Sequence, residues 1–180
     1  MSRVPLLQFR HATPEDIPAL VELVTTAYRG EASRAGWTHE ADLLDGTRIM
    51  PEMLAEDLAR PHALVLIGED RGSGEPVACA HLEGIDGHAH FGMFAVLPEC
   101  QQHGVGRALL AEAERLARDE LACRDMNMTV IDVRHELIAW YERRGYQQTG
   151  ETRPFPHDDP RFGTPRRDDL QFAVLEKPLD

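Results

Sequence analysis

Lysine is almost missing from this chain. Lys177 is the only one among nineteen basic side chains, which face thirty-one acidic ones for a net charge of −12. Phosphate contacts on a polyanion need clustered Lys and Arg, so nucleic acid is excluded as a partner over the whole surface. A local electropositive pocket for a small anion stays compatible with that balance. Cysteine is scarce too. Cys79, Cys100 and Cys123 are an odd, widely spaced set, which excludes a disulfide framework and reads as reduced thiols in a cytoplasmic protein. No apolar run approaches the roughly 18 residues needed to cross a bilayer, so no membrane contact is expected. The start, Met1 to Leu7, lacks the apolar stretch and small-residue cleavage site of an export signal. Internal repeats and low-complexity tracts are absent as well.

What remains is an ordinary globular composition: 42% hydrophobic and 28% charged residues over 180 positions. A chain of this size buries roughly 70% of its unfolded surface and needs no structural metal. One domain spanning 1–180 is expected. Leu7–Arg10 reads as a strand, and Thr13-Pro14-Glu15-Asp16 as a helix start with Thr13 as N-cap and Pro14 in the first position. Ile17, Leu20, Val21, Val24, Ala27 and Tyr28 follow at helical spacing. Glycines 30, 36 and 46 interrupt any pattern over 30–50, and Pro51–Leu58 reads as a short helix. Ala63–Ile67, Val77–Glu83 and His88–Val96, separated by Gly-rich turns, predict an antiparallel meander. A long helix opening at Gly104, a strand over Met126–Val133, a helix over Arg134–Arg144 and strands at Tyr146–Gly150 and Leu170–Leu175 complete the order β-α-α-β-β-β-α-β-α-β-β. That order predicts an α/β (α+β) fold: a mixed, mostly antiparallel sheet flanked by helices.

The chemistry concentrates where the third meander strand runs into the long helix, Phe94 to Leu110. A helix head presents backbone N–H groups without internal partners and about half a positive charge. Gly104 and Gly106 remove side chains there, and Arg107 adds a cation. Such glycines serve either a diphosphate or tight strand-to-helix packing, and the pattern alone leaves both open. It is neither a P-loop, since G-x-x-x-x-G-K-[ST] is absent, nor a Rossmann fingerprint, since the first of three glycines is missing. Cys100, just before the helix, raises an acyl-cysteine route, but no residue nearby is placed to act as its base.

The run Gln101-x-x-Gly104-x-Gly106 after Val96-Leu97-Pro98 resembles the Q/R-x-x-G-x-G/A signature of the GNAT superfamily of N-acetyltransferases. Ala139-Trp140-Tyr141-Glu142-Arg143-Arg144-Gly145-Tyr146 resembles that family's later A-x-x-Y-E-x-x-G-F/Y segment. The resemblance implies an acetyl-CoA-dependent N-acetyltransferase in which an amine attacks the thioester directly. It implies that Phe94, Ala95 and Val96 pair with the pantetheine arm, that one of their amides faces the thioester oxygen, and that Gln101, Gln102, His103, Gly104, Val105, Gly106 and Arg107 hold the diphosphate. It also implies that Tyr141 protonates the departing thiolate. A tyrosine near pKa 10 is short of a thiol by about 1.5 units, or about 2 kcal/mol. The family often has Asn seven residues before that tyrosine, where this chain has Arg134; an arginine there could reach a phosphate instead. Dimerisation is common in the family.

The resemblance implies a small-molecule or peptide amine as the acceptor. Neutralising a lysine-like amine at pH 7 costs about 4.6 kcal/mol, an α-amino group only about 1 kcal/mol. Val77, Cys79, His81 and Glu83 alternate onto one face of their strand, and His88, His90, Gly92, Phe94 and Val96 onto one face of the next. If the faces coincide, Glu83 is the first candidate base, with His81, His90 or water as alternatives. The same histidines read as a metal constellation would suggest a cupin-like barrel, which the long helices oppose; no metal is expected. An acyl-CoA-binding regulatory module without transferase activity is the other reading. Residues 31–40, with Glu31 and Glu40, and Pro154–Arg167, with Asp158, Asp159, Arg161, Arg166 and Arg167, are placed to wall the acceptor side. The acids suit a cationic acceptor, and the arginines a carboxylate or phosphate on the same molecule.

Overall fold

The computed structural model describes residues 5–29, 40–45, 48–159 and 162–180. The expected wall residues Glu31 and Arg161 therefore lie outside the described residues, as does most of the segment 31–40. Strand β1 (Leu7–His11) passes through Thr13 into a single 3₁₀ turn at Pro14–Asp16 and then helix α1 (Ile17–Tyr28). The Thr13 amide donates to Asp16 Oδ2 at 2.8 Å, closing the helix start that the sequence predicts. Arg10 grips both Asp16 oxygens at 2.7 Å, fastening that start to the sheet edge.

The chain continues with β2 (Leu44–Asp45), α2 (Pro51–Ala59), β3 (Ala63–Asp70), β4 (Pro76–Ile85), β5 (His88–Val96), α3 (Val105–Asp119), β6 (Asp125–Ile131), α4 (His135–Glu142), β7 (Gln147–Pro154), β8 (Thr164–Pro165) and β9 (Gln171–Pro178). The β4–β5 hairpin turns at Asp86-Gly87, both at positive φ, the Asp-Gly pair that such a two-residue turn requires. Strands β2 and β8 pair only with each other and are too short to leave a periodic signature in the sequence. The other seven form one open sheet ordered β1-β3-β4-β5-β6-β9-β7, antiparallel throughout except for β5 with β6. This is the mixed, mostly antiparallel sheet that the element order predicts, and its free edges exclude the barrel. No helix among the described residues is long and apolar enough to cross a membrane.

Both faces of the sheet are covered. Leu64, Leu66, Ala78, Ala80 and Leu82 pack beneath the apolar stripe of α3, while Val65, Ile67 and Cys79 pack against α1 and α2. Burial on both sides explains why Ala63–Ile67 reads as an unbroken apolar run.

Two irregularities in β5 shape the molecule. The first is a bulge. Glu83, Leu82 and His81 of β4 face His90, Phe91 and Gly92, yet Cys79 faces Ala95 and Ala78 faces Val96. Two steps on β4 span three on β5, so one extra residue sits at Met93–Phe94, where Met93 takes φ +49°. Ala89 and Phe91 accordingly pack on the α3 side, Met93 and Ala95 on the α1 side, and Val96 on the α3 side again. The expectation that His88, His90, Gly92, Phe94 and Val96 share one face is corrected here: the bulge turns Phe94 and Val96 over. The second is a fork. β5 pairs with β6 only at His88–Asp125, Ala89–Met126 and His90–Asn127, after which the strands part. Cross-strand bonds hold the closed end, from His88 Nδ1 to Asp125 at 2.8 Å and from His90 Nδ1 to Asn127 Oδ1 at 2.7 Å.

Candidate active site

Beyond His90 the outer half of β5 has no partner on its β6 side. Leu97 donates to Val77 O at 2.9 Å, so strand alternation turns the backbone groups of Val96 and Phe94 the other way, into the fork. Val96 O there accepts Gln101 Nε2 at 3.1 Å. The amides of Phe94 and Val96 are left as backbone donors on the side of the strand that β6 does not pair.

Two cavities meet at this fork. One, of about 550 Å³, lies between β5, the head of α3 and α4, and is lined by Phe94, Val96, Gln101, Gln102, Gly104, Gly106 and Arg107 from the predicted set. Ala95 and Val105 send their side chains into the core, leaving only backbone to contribute. His103 lines neither cavity; its Nδ1 donates to Gln101 O at 3.0 Å and braces the loop. The first helical bond of α3 runs from the Ala108 amide to Gly104 O at 3.0 Å, so the amides of Val105, Gly106 and Arg107 precede it and head the cavity. The two glycines serve different ends. Gly104 takes φ +78°, and a Cβ there would meet nothing within 4 Å; at Gly106 a Cβ would come within 3.2 Å of Phe94 Cζ. Arg107, Arg143 and Arg144 add three guanidinium groups to the lining, a local positive field in an acidic protein. Arg144 stacks over Trp140 at 3.6 Å and donates to its carbonyl at 2.7 Å.

The second cavity, about 170 Å³, fills the fork itself between Phe91–Phe94 of β5 and Met128–Ile131 of β6. Tyr28, Phe94 and Leu137 line both cavities and form their common wall. Tyr141 lines the second, with its ring 6.2 Å from Phe94, and its hydroxyl makes no hydrogen bond among the described residues. Tyr146, by contrast, donates to Glu114 at 2.9 Å. Burial pushes the Tyr141 phenol well above its ordinary range, and the nearby Tyr28 pushes the same way. A thiolate formed in the same enclosed space is disfavoured for the same reason, so the gap between the two groups matters more than either value.

Opposite Tyr141 lies a buried charge cluster that the sequence does not foreshadow as a unit. Glu40 accepts from Arg29 at 2.8 and 3.2 Å and from Arg134 at 3.3 Å, with Arg48 at 3.9 Å. Burial alone would raise the Glu40 carboxyl, but the charges of Arg134, Arg48 and Arg29 outweigh it and hold it below its usual value. Arg134, read from the sequence as able to reach a phosphate, instead faces Glu40 in the second cavity, because the β6–α4 turn aims it across the fork. Among the expected wall residues, Glu40 lines this cavity, whereas Asp158 and Asp159 belong to an open hollow with Phe155. Arg166 holds Asp45 at 2.6 Å and Arg167 holds Asp169 at 2.6 Å.

Glu83, His81 and His90 do share a face, as the alternation predicts, with Glu83 directly opposite His90. That face is the α2 side at the closed end of the fork. Glu83 lies 3.5 Å from Arg60 and lines neither cavity, and desolvation lowers the His81 pKa. Cys100 is buried, and burial, then Glu99 and Asp70, raise its thiol pKa; that opposes a thiolate nucleophile. Among the described residues, no group of three or more His, Cys, Asp or Glu side chains is placed to hold a metal.

Comparison with known proteins follows the same lines. The profile of the acetyltransferase (GNAT) family matches residues 18–146. No curated protein sequence matches significantly. The fold is similar to that of the ribosomal-protein-S18-alanine N-acetyltransferase from Escherichia coli, at 16% identity and TM-score 0.70 over 97% of this chain and 95% of that one. It is also similar to nourseothricin acetyltransferase, at 21% identity and TM-score 0.66 over 97% and 99%. A third likeness is to the spermidine/spermine N-acetyltransferase of Vibrio cholerae, at 14% identity and TM-score 0.66 over 97% and 95%. With a forked sheet, a glycine-headed helix and a family match over most of its length, this chain belongs to the GNAT family of acetyltransferases.

Proposed function

We propose that the protein transfers an acetyl group from acetyl-CoA to a primary amine by direct attack on the thioester. The observation that carries this reading is the meeting of two cavities at one wall, Tyr28–Phe94–Leu137, beside the unpaired half of β5. The larger cavity suits the carrier. Its diphosphate would lie on the amides of Val105, Gly106 and Arg107, and its pantetheine arm along Phe94 and Val96 as an added strand. The smaller cavity suits the acceptor.

The amine enters from the β6 side and attacks the thioester carbon. The carbonyl oxygen would gain charge against an amide of Phe94 to Val96, on the unpaired half of β5. Collapse breaks the C–S bond, and Tyr141 gives its proton to the sulfur. Glu83 has no part in this scheme, since Arg60 holds it outside the acceptor cavity. The proton lost by the amine passes to water and through water back to Tyr141, which restores the phenol for the next turnover.

The test is release of free CoA thiol from acetyl-CoA, with and without an amine panel, alongside calorimetric titration with CoA. Amine-stimulated release supports transfer. Tight CoA binding with no stimulation by any amine would favour the regulatory module instead.

A further inference from the structure

A third hollow, of about 510 Å³, adjoins the larger cavity and shares Arg107, Arg143 and Arg144 with it. One side is a stripe of α3, from Arg107 through Leu110 and Ala111 to Glu114, spaced as one helix face. At 1.5 Å per residue the stripe runs about 10 Å from the first turn. The hollow therefore starts beside the amides that head the larger cavity and leads away from them. At its far end Lys177 holds Glu114 at 3.0 Å, and Tyr146 donates to the same carboxylate, so the one acid among the described lining is already neutralised. Arg107 and Arg143 make no hydrogen bond or ion pair among the described residues. Arg144 is fixed on Trp140 by stacking and by a bond to its carbonyl, while its buried Nε makes no hydrogen bond among the described residues. Burial, then the charges of Arg143 and Arg107, lower the Arg144 pKa, so the three guanidinium groups act on one another. None of these residues adjoins an undescribed segment of the chain. We infer that this hollow seats the 3′-phosphate of the carrier, and that Arg143 makes the protein select CoA over its dephospho form.

The chemistry of the carrier matches this layout. Only a ribose separates its diphosphate from its 3′-phosphate, so a diphosphate on the amides of Val105, Gly106 and Arg107 brings a second anion to the mouth of the hollow. A phosphate monoester carries about two negative charges at neutral pH, and guanidinium groups bind it through paired hydrogen bonds. Three arginines gathered without a free acid, in a chain of net charge −12, form a local field suited to such a group. The diphosphate alone does not require them, because the helix-head amides already serve it. Arg143 comes from a different element, the end of α4, so its loss leaves those amides in place. The assignment rests on the carrier half of the transferase reading and is independent of the transfer step.

The experiment titrates the full chain with CoA and with dephospho-CoA by calorimetry, which reads binding without turnover. CoA should bind about tenfold or more tightly, the value of one charge-assisted hydrogen-bonded contact. Because Arg107 and Arg143 are exposed, that margin should shrink as salt rises. Arg143→Gln should bring the two carriers to within about threefold of each other, with dephospho-CoA affinity unchanged and folding checked by thermal melting. Arg115→Gln removes the same charge from an α3 position that lines neither hollow, and should leave the margin intact. Equal affinity for both carriers in the unaltered protein overturns the inference and leaves the carrier reading standing. A margin that survives Arg143→Gln, or that Arg115→Gln abolishes as well, overturns the assignment to this hollow. Failure of both carriers to bind removes the carrier reading itself, and the inference with it.

Discussion

The rings of Phe91 and Phe94 lie 5.4 Å apart although the two residues are three positions apart on one strand. In regular β-structure such residues stand on opposite faces. The extra residue at Met93 brings them together by turning Phe94 over to the face that Phe91 occupies. Met93 occupies left-handed backbone at φ +49°, which a β-branched residue tolerates poorly. Met93→Ile keeps the buried volume and should cost about 2 kcal/mol of stability, measured by urea unfolding, while lowering kcat. Unchanged stability would mean that the bulge is not strained.

Tyr141→Phe removes a hydroxyl without a partner among the described residues, so folding should be unaffected. If the phenol protonates the leaving thiolate, kcat falls roughly 10²-fold with acetyl-CoA affinity nearly unchanged. Equal turnover would remove the acid role.

Gly106→Val should separate the head of α3 from β5, because even a Cβ would press on Phe94 and come within 3.6 Å of Trp140 and Val96. Calorimetry should show CoA affinity reduced about tenfold or more. Gly104→Ala meets open space, so its cost should be the backbone term alone, about 1 kcal/mol at positive φ. The reverse ranking in CoA affinity would contradict the roles given to these glycines.

The Arg10–Asp16 pair makes stability depend on acid. The hydrogen bond from Arg10 lowers the Asp16 pKa to about 2. A carboxylate depressed in the folded state contributes stability that is present above the unfolded value near 4 and lost as pH falls towards 2. The pair is partly exposed, so screening limits the contribution to on the order of 1 kcal/mol. Asp16→Asn should lose that amount at pH 7 and show a flatter stability profile between pH 4 and 2, followed by chemical unfolding.

Element order, the helix start at Thr13–Asp16 and the glycine-headed helix were legible because each leaves a local signature: a cap, a periodicity, a turn residue. The bulge was not. Ala89 to Val96 is apolar on both faces apart from His90 and Gly92, so a one-residue slip breaks no visible alternation. Glu83 shows the limit most clearly. Its face and its neighbours His81 and His90 followed from alternation, but which end of the strand pair opens depends on where β6 departs, and that is a long-range property. The Glu40 cluster draws Arg29, Arg48 and Arg134 from α1, the segment before α2 and the head of α4, a convergence that no local pattern announces.

Hydrogen exchange with and without CoA probes the central claim most directly, because it reads the amides themselves. Binding should slow exchange at residues 94–96 and 104–107, the free half of β5 and the head of α3. Protection confined to other elements, or no change on adding saturating CoA, would contradict the assignment of the fork as the carrier's seat.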